Sequence, residues 1–123
     1  MKVKEAIMCA DTLMPNQYEY EQKVRWLSEL EGQAKREIFD LYKDSPADGF
    51  TGYKEGVHDD QTLLIPPPYD GVYIDWLQAQ FSYFNAEFTR HGNAQLRFNN
   101  SYLTFQAYWI RTHERARDSY MRF

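Results

Sequence analysis

The sequence predicts a mainly α-helical protein: a small bundle of about four helices, with a long antiparallel helix pair and one long loop. Three observations support this class. Apolar residues recur every three or four positions over most of the chain. Four of the five prolines and three of the six glycines fall within residues 43–68. The length of 123 residues is enough for one core, so we expect a single domain over residues 1–123.

Two helices are predicted before the loop. The first has apolar positions at spacings of four, three and four, namely Val3, Ile7, Ala10 and Met14. Pro15 ends it, because proline cannot continue the helical hydrogen bonding. Asn16 followed by Glu19 resembles a capping box, and an amphipathic helix is predicted over residues 20–41. Its paired carboxylates, Glu29 with Glu31 and Glu37 with Asp40, are interpreted as solvated.

Residues 43–68 are predicted to be a connecting loop. The sequence around residues 49–53 has the turn residues of a short β-hairpin, and residues 60–65 have a strand-like composition. Pro68 ends a stiff triproline and is placed to open the next helix. A loop this long is usually functional, so we expect it to reach a neighbouring subunit through exposed Phe50 and Tyr53 rather than pack wholly on its own domain.

The third helix, over residues 69–90, has two adjacent apolar rows. One consists of Val72, Trp76, Ala79, Tyr83 and Ala86, and the other of Tyr73, Leu77, Phe81, Phe84 and Phe88. A small domain has difficulty enclosing both rows, so one is expected to contact a partner. Residues 91–93, with Gly92 in the left-handed position, are predicted to end this helix.

A last helix then runs antiparallel to the third, with its core row at Ala94, Phe98, Tyr102, Phe105 and Trp109. Leu96, Leu103 and Ile110 are expected to widen that apolar face. We expect the segment 114–123 to be a flexible tail.

The sequence does not predict a catalytic, cofactor or metal site, and the protein is predicted not to be an enzyme. The triplet His58, Asp59 and Asp60 has metal-ligating residue types, but adjacent residues rarely share one ion, so a solvated loop is the preferred interpretation. His91 is interpreted as part of a helix end and His113 as a surface residue. Cys9 is interpreted as a packed thiol; as a single cysteine it fits a reducing compartment.

Charge is distributed unevenly along the chain. The net charge is -4, with -5 on residues 1–62 and +1 on residues 63–123. From Arg90 onward there are six arginines and no lysine, opposed only by Glu114 and Asp118. This basic end is either a solvated helix end or a contact for an acidic partner or nucleic acid. No apolar run is long enough to cross a membrane, so no membrane partner is predicted.

Several strings resemble a known family. They are WLSELEGQAKREIF at 26–39, GY at 52–53, LLIPPPYD at 63–70, YIDWLQAQFSYFNAEF at 73–88, FNNSY at 98–102, Trp109, and RTH at 111–113. Together they resemble small proteins encoded among the head and neck genes of phages and prophages of Gram-positive bacteria. Such proteins are similar to the head-tail connector, or adaptor, subunits of long-tailed phages. Those subunits are mainly helical and form a ring beneath the portal, with a channel for the genome.

The resemblance implies a structural virion protein at the head-tail junction, made in the bacterial cytoplasm. It implies a homo-oligomeric ring, with the portal protein and a further neck or tail-completion protein as partners and non-specific contact with packaged DNA. No cofactor is expected. Combined with the residue patterns, the interface candidates are Phe50, Tyr53, Tyr73, Trp76, Phe84, Phe88, Arg111, Arg115 and Arg117. The alternative is a small regulatory or nucleic-acid-binding helical module of prophage origin.

Overall fold

The structure, a computed structural model, describes residues 1–113 and confirms the mainly α-helical class. Its elements are α1 (Val3–Leu13), α2 (Tyr20–Glu37), a single 3-10 turn (Phe39–Leu41), α3 (Gly71–Phe84) and α4 (Phe88–Thr112). Within residues 1–113 there is no β-strand, and the predicted hairpin is not formed. An isolated antiparallel bridge joins Lys2 and Thr62.

Helices α1 and α2 form where the apolar periodicity predicts them. α1 buries Val3, Ala6, Ile7 and Ala10 and ends before Pro15, as expected. The thiol prediction is wrong: Cys9 is exposed, because it lies one residue off the buried row.

The predicted capping box is also wrong. α2 begins at Tyr20, and the Asn16 side chain instead donates to the Asp11 carboxylate and the Met14 carbonyl. α2 ends at Glu37, four residues earlier than predicted, and the 3-10 turn follows.

The segment between the 3-10 turn and α3 is irregular but packs on the helices. Ala47, Leu63 and Ile65 are buried in the main core with residues of α1, α2, α3 and α4. The Pro67-Pro68 peptide bond is cis, and α3 starts at Gly71 rather than at Pro68. The loop is therefore part of the domain's core near both of its ends.

Helices α3 and α4 pack antiparallel, as predicted. Ring contacts pair the start of α3 with the end of α4, between Tyr69 and Tyr108, and the end of α3 with the start of α4, between Tyr83 and His91. Between these ends Ser101 donates to the Asp75 carboxylate. The two helices form the longest packed pair of the domain.

The turn between α3 and α4 comes earlier than predicted. It lies at residues 85–87, where Ala86 has a φ of 59°. The Glu87 amide donates to the Ser82 carbonyl and the Ala86 amide to the Tyr83 carbonyl, which is the pattern of a Schellman motif. Gly92 lies inside α4. Alanine adopts the left-handed conformation that the glycine was expected to supply, because only a reversal at this point lets α4 return along α3.

Candidate functional site

A buried polar cluster fastens the long loop to the helices. The Glu31 carboxylate, completely buried on α2, accepts hydrogen bonds from the Tyr53 hydroxyl, the Tyr73 hydroxyl and the Leu64 amide. The Ile65 amide in turn donates to the Tyr73 hydroxyl oxygen at 2.8 Å. The interpretation of Glu31 as a solvated carboxylate is therefore wrong. The cluster satisfies loop backbone groups that burial would otherwise leave without partners.

Burial dominates the electrostatics of this cluster. It raises the pKa of Glu31, and the three donated hydrogen bonds offset only part of that rise. Burial and the neighbouring Glu31 carboxylate also raise the pKa values of Tyr53 and Tyr73, so both phenols stay protonated and able to donate. The cluster is therefore structural: the two hydroxyls and the Leu64 amide each donate to Glu31 and hold the loop against α2 and α3.

The triplet His58, Asp59 and Asp60 holds the loop together and joins it to α1 and α2. The His58 Nδ1 accepts from the Lys54 amide, and Asp60 pairs with Lys4 at 2.6 Å. Asp59 accepts from the Tyr20 hydroxyl, and burial with that contact raises the pKa of Tyr20 to about 12. Over residues 1–113 no three His, Cys, Asp or Glu side chains are grouped to hold a metal ion.

The other two histidines also have structural contacts. His91 does not lie at the C-terminal end of α3 as predicted, because it is in the first turn of α4 with Nδ1 3.0 Å from the Ala79 carbonyl oxygen. His113 is half-buried and stacks on Trp109, with 3.5 Å between ring centroids.

Most of the aromatic interface candidates pack against the domain itself. Tyr73 is completely buried, so no partner can touch it in this fold. Trp76 is half-buried and donates through Nε1 to the Trp26 carbonyl at 2.8 Å. Phe50 and Tyr53 are half-buried and pack edge to face, with the Tyr53 amide donating to Ser28. Phe50 and Tyr53 were expected to be exposed and are instead half-buried on their own domain, while contact of the loop with a neighbouring subunit stays a prediction.

Two candidates remain exposed at the α3–α4 turn. Phe84 is 56% exposed and Phe88 74% exposed, beside Tyr83 at 54%. We call Tyr83, Phe84 and Phe88 the turn patch. The Phe84 ring stacks on Trp26 with centroids 5.5 Å apart, and the Tyr83 ring packs edge to face on Phe84. Because Trp26 is a core residue, the Phe84 side of the patch rests on the core.

A second exposed apolar feature lies on α4 and was missed. Leu96, Leu103 and Ile110 are exposed and lie on the side of α4 away from the core, whereas they were expected to widen its buried face. The signal that separates them is their offset from the buried row, since Leu96 and Leu103 come two residues before Phe98 and Phe105, about 200° around the helix.

The structure describes one of the three arginine candidates. Arg111 is exposed near the end of α4. Arg115, Arg117 and the predicted tail 114–123 lie outside the described residues.

The chain matches no protein-family model, no curated protein and no solved structure. The resemblance to connector subunits therefore depends on the sequence strings. Among residues 1–113, no helix combines the length and apolarity needed to cross a bilayer.

Proposed function

We propose that the protein is a structural virion subunit that forms a head-tail connector ring between the portal and the tail of a phage. The observation that carries the proposal is the turn patch. Three aromatic rings at the α3–α4 turn are each more than half exposed, and those of Tyr83 and Phe84 are in edge-to-face contact. Soluble monomers rarely expose contiguous apolar patches of this kind without using them for contact.

The turn patch has the properties of a contact surface. Aromatic side chains are enriched at the cores of protein interfaces, where they bury much area for little loss of conformational freedom. The Trp26 ring beneath Phe84 holds that side chain in place before any partner arrives. A rigid patch loses less entropy on binding than a mobile one, so association through it is favoured.

Ring formation requires a head-to-tail contact, in which the turn patch of one copy meets a different surface of the next. The portal and a further neck protein would then meet other faces of the ring. DNA passing through the channel would meet arginines such as Arg111, with a weak and salt-dependent attraction.

Sedimentation velocity over a concentration series, followed by negative-stain images, tests the assembly. The wild-type chain should associate with rising concentration and form closed rings. The double variant Phe84→Ser with Phe88→Ser should remain monomeric while keeping its helical circular dichroism. Val57→Ser is the matched control, since Val57 is 72% exposed in the loop, away from the turn patch. A wild-type chain that stays monomeric both alone and with its portal protein would refute the proposal.

The neighbouring genes distinguish the connector from the regulatory alternative. Portal and major capsid genes upstream with tail genes downstream would support the connector. Repressor or replication genes on both sides would support the regulatory or nucleic-acid-binding module instead.

A further inference from the structure

The outer side of α4 carries an apolar line that its own domain leaves open. Leu96 is 60% exposed, Leu103 59% and Ile110 53%. Seven residues are almost two turns, so the three side chains lie along one line about 21 Å long. Phe105, two positions after Leu103, is completely buried on the opposite side of the helix.

A line of arginines runs beside the apolar line. Arg97 directly follows Leu96, Arg111 directly follows Ile110, and Arg90 lies seven residues before Arg97. Helix α4 contains no aspartate or glutamate over its 25 residues. We call the two lines together the α4 face.

These arginines keep capacity for further contacts. Arg90 pairs with Glu87 at 3.0 Å and is still more than half exposed. Arg97 makes one long contact of 3.4 Å with Gln78. Arg111 has no ion pair with any residue of the described chain.

The arginine side of the α4 face is concave. Arg90 and Arg97 line a groove of about 630 Å³ whose other wall is formed by Leu13, Met14 and Pro15 at the end of α1. Leu13 is 65% exposed at its edge. A segment seated here would meet the positive charge of Arg90 and Arg97 on one side and the apolar end of α1 on the other.

We propose that the α4 face binds an acidic amphipathic helix of a different polypeptide. The apolar line requires a ligand with its own apolar row, and a helix supplies one at the same spacing. The arginine line requires carboxylates beside that row. This proposal uses other residues than the turn patch and does not depend on ring formation.

Two other occupants fit the α4 face less well. Nucleic acid would use the arginines but leave Leu96, Leu103 and Ile110 uncovered. A second copy through the same face would bring two positively charged helices together. The other helix faces of a second copy do not fit either. Helix α2 exposes carboxylates but none of its large apolar side chains. On α1 the exposed apolar side chains Met8 and Leu13 point about 140° apart and so do not form a row.

The test is binding of a synthetic helical peptide to the full chain, measured by fluorescence anisotropy. The peptide has three heptads with leucine at the a and d positions and glutamate at the e and g positions. Its control has lysine in place of every glutamate. We expect the glutamate peptide to bind, more weakly as salt rises, and the lysine peptide not to bind.

Variants of the full chain locate the contact. Leu103→Ser and Arg97→Glu should each weaken binding by about tenfold or more. Val57→Ser and Lys54→Glu are matched controls on the exposed loop and should bind as the wild type does. Phe84→Ser with Phe88→Ser should also keep binding, which separates failure of this proposal from failure of the ring. Thermal unfolding of every variant verifies that it is folded.

Four results of the peptide and sedimentation measurements would overturn the inference. They are no binding of either peptide, equal binding of both peptides, a Leu103→Ser variant that binds the glutamate peptide as the wild type does, and a sedimenting dimer that Leu103→Ser dissociates. The dimer would assign the α4 face to a second copy. Binding of duplex DNA that Arg97→Glu abolishes and Leu103→Ser leaves intact would assign the arginines to nucleic acid and overturn the inference as well.

Discussion

The Tyr73 hydroxyl on α3 donates a hydrogen bond to the Glu31 carboxylate on α2, and both side chains are completely buried. The same hydroxyl oxygen accepts from the Ile65 amide, and Glu31 also accepts from the Leu64 amide. Two helices and the end of the long loop are thus joined through one pair of residues. The pair explains how a loop without a strand or helix of its own stays packed in the core.

Removing the Tyr73 hydroxyl should destabilise the protein strongly. Tyr73→Phe takes one donor from a buried carboxylate and leaves the Ile65 amide without its acceptor, so we expect a loss of about 2–4 kcal/mol in the free energy of unfolding. Urea denaturation measures it. Tyr83→Phe removes the same hydroxyl from an exposed ring and should change stability by less than about 0.5 kcal/mol. Equal losses of unfolding free energy in Tyr73→Phe and Tyr83→Phe would mean that the buried hydrogen bonds of Tyr73 add nothing to stability.

The stability contributed by Glu31 should fall as pH rises. Burial raises the pKa of Glu31 in the folded state above its ordinary value of 4.5, so the native protein binds more protons than the unfolded chain between the two values. Its contribution is therefore fully present below pH 4.5 and is lost as pH rises through the folded pKa. The measurement is the difference in unfolding free energy between wild type and Glu31→Gln across pH 4–8. A stability advantage of the wild type over Glu31→Gln that grows with pH would show that the hydrogen bonds lower the pKa of Glu31 by more than burial raises it.

Deleting residues 48–59 should unfold or severely destabilise the domain. The deletion removes Tyr53, whose hydroxyl donates to Glu31 at 2.6 Å and whose amide donates to Ser28 at 2.8 Å. We expect loss of at least about 2 kcal/mol, seen as a lower midpoint in thermal circular dichroism. Val57→Ser alters the same loop without touching the cluster and should unfold like the wild type. A deleted chain that keeps its midpoint would show that residues 48–59 add nothing to the stability of the domain.

Ala86→Gly should stabilise the α3–α4 turn. A left-handed alanine costs about 1–2 kcal/mol, and glycine removes that strain while adding about 0.5–1 kcal/mol of unfolded-state entropy. The net expectation is a gain of about 0.5–1 kcal/mol by urea denaturation. Ala107→Gly is the matched control, because Ala107 is exposed inside α4 and should lose about 1 kcal/mol. A loss at both positions would indicate that Ala86 is unstrained.

The sequence by itself determined the helical class, the buried rows of α1 and α2, and the pairing of the last two helices. These features depend on local periodicity, which one stretch of chain expresses without help from the rest. The spacing of Phe98, Tyr102, Phe105 and Trp109 was enough to identify the buried side of α4. Even so, the opposite apolar line at Leu96, Leu103 and Ile110 was read as part of that side.

Only the tertiary structure decided where the chain reverses and which polar groups are buried. The reversal lies at Ala86 rather than Gly92, because packing of α4 along α3 outweighs a conformational preference of about 1 kcal/mol. Glu31 looks like any solvated helix carboxylate in the sequence. Its burial depends on Tyr53 and Tyr73, which lie 22 and 42 residues away and meet it only in the folded domain. Long-range contacts of this kind leave no periodic trace in the sequence.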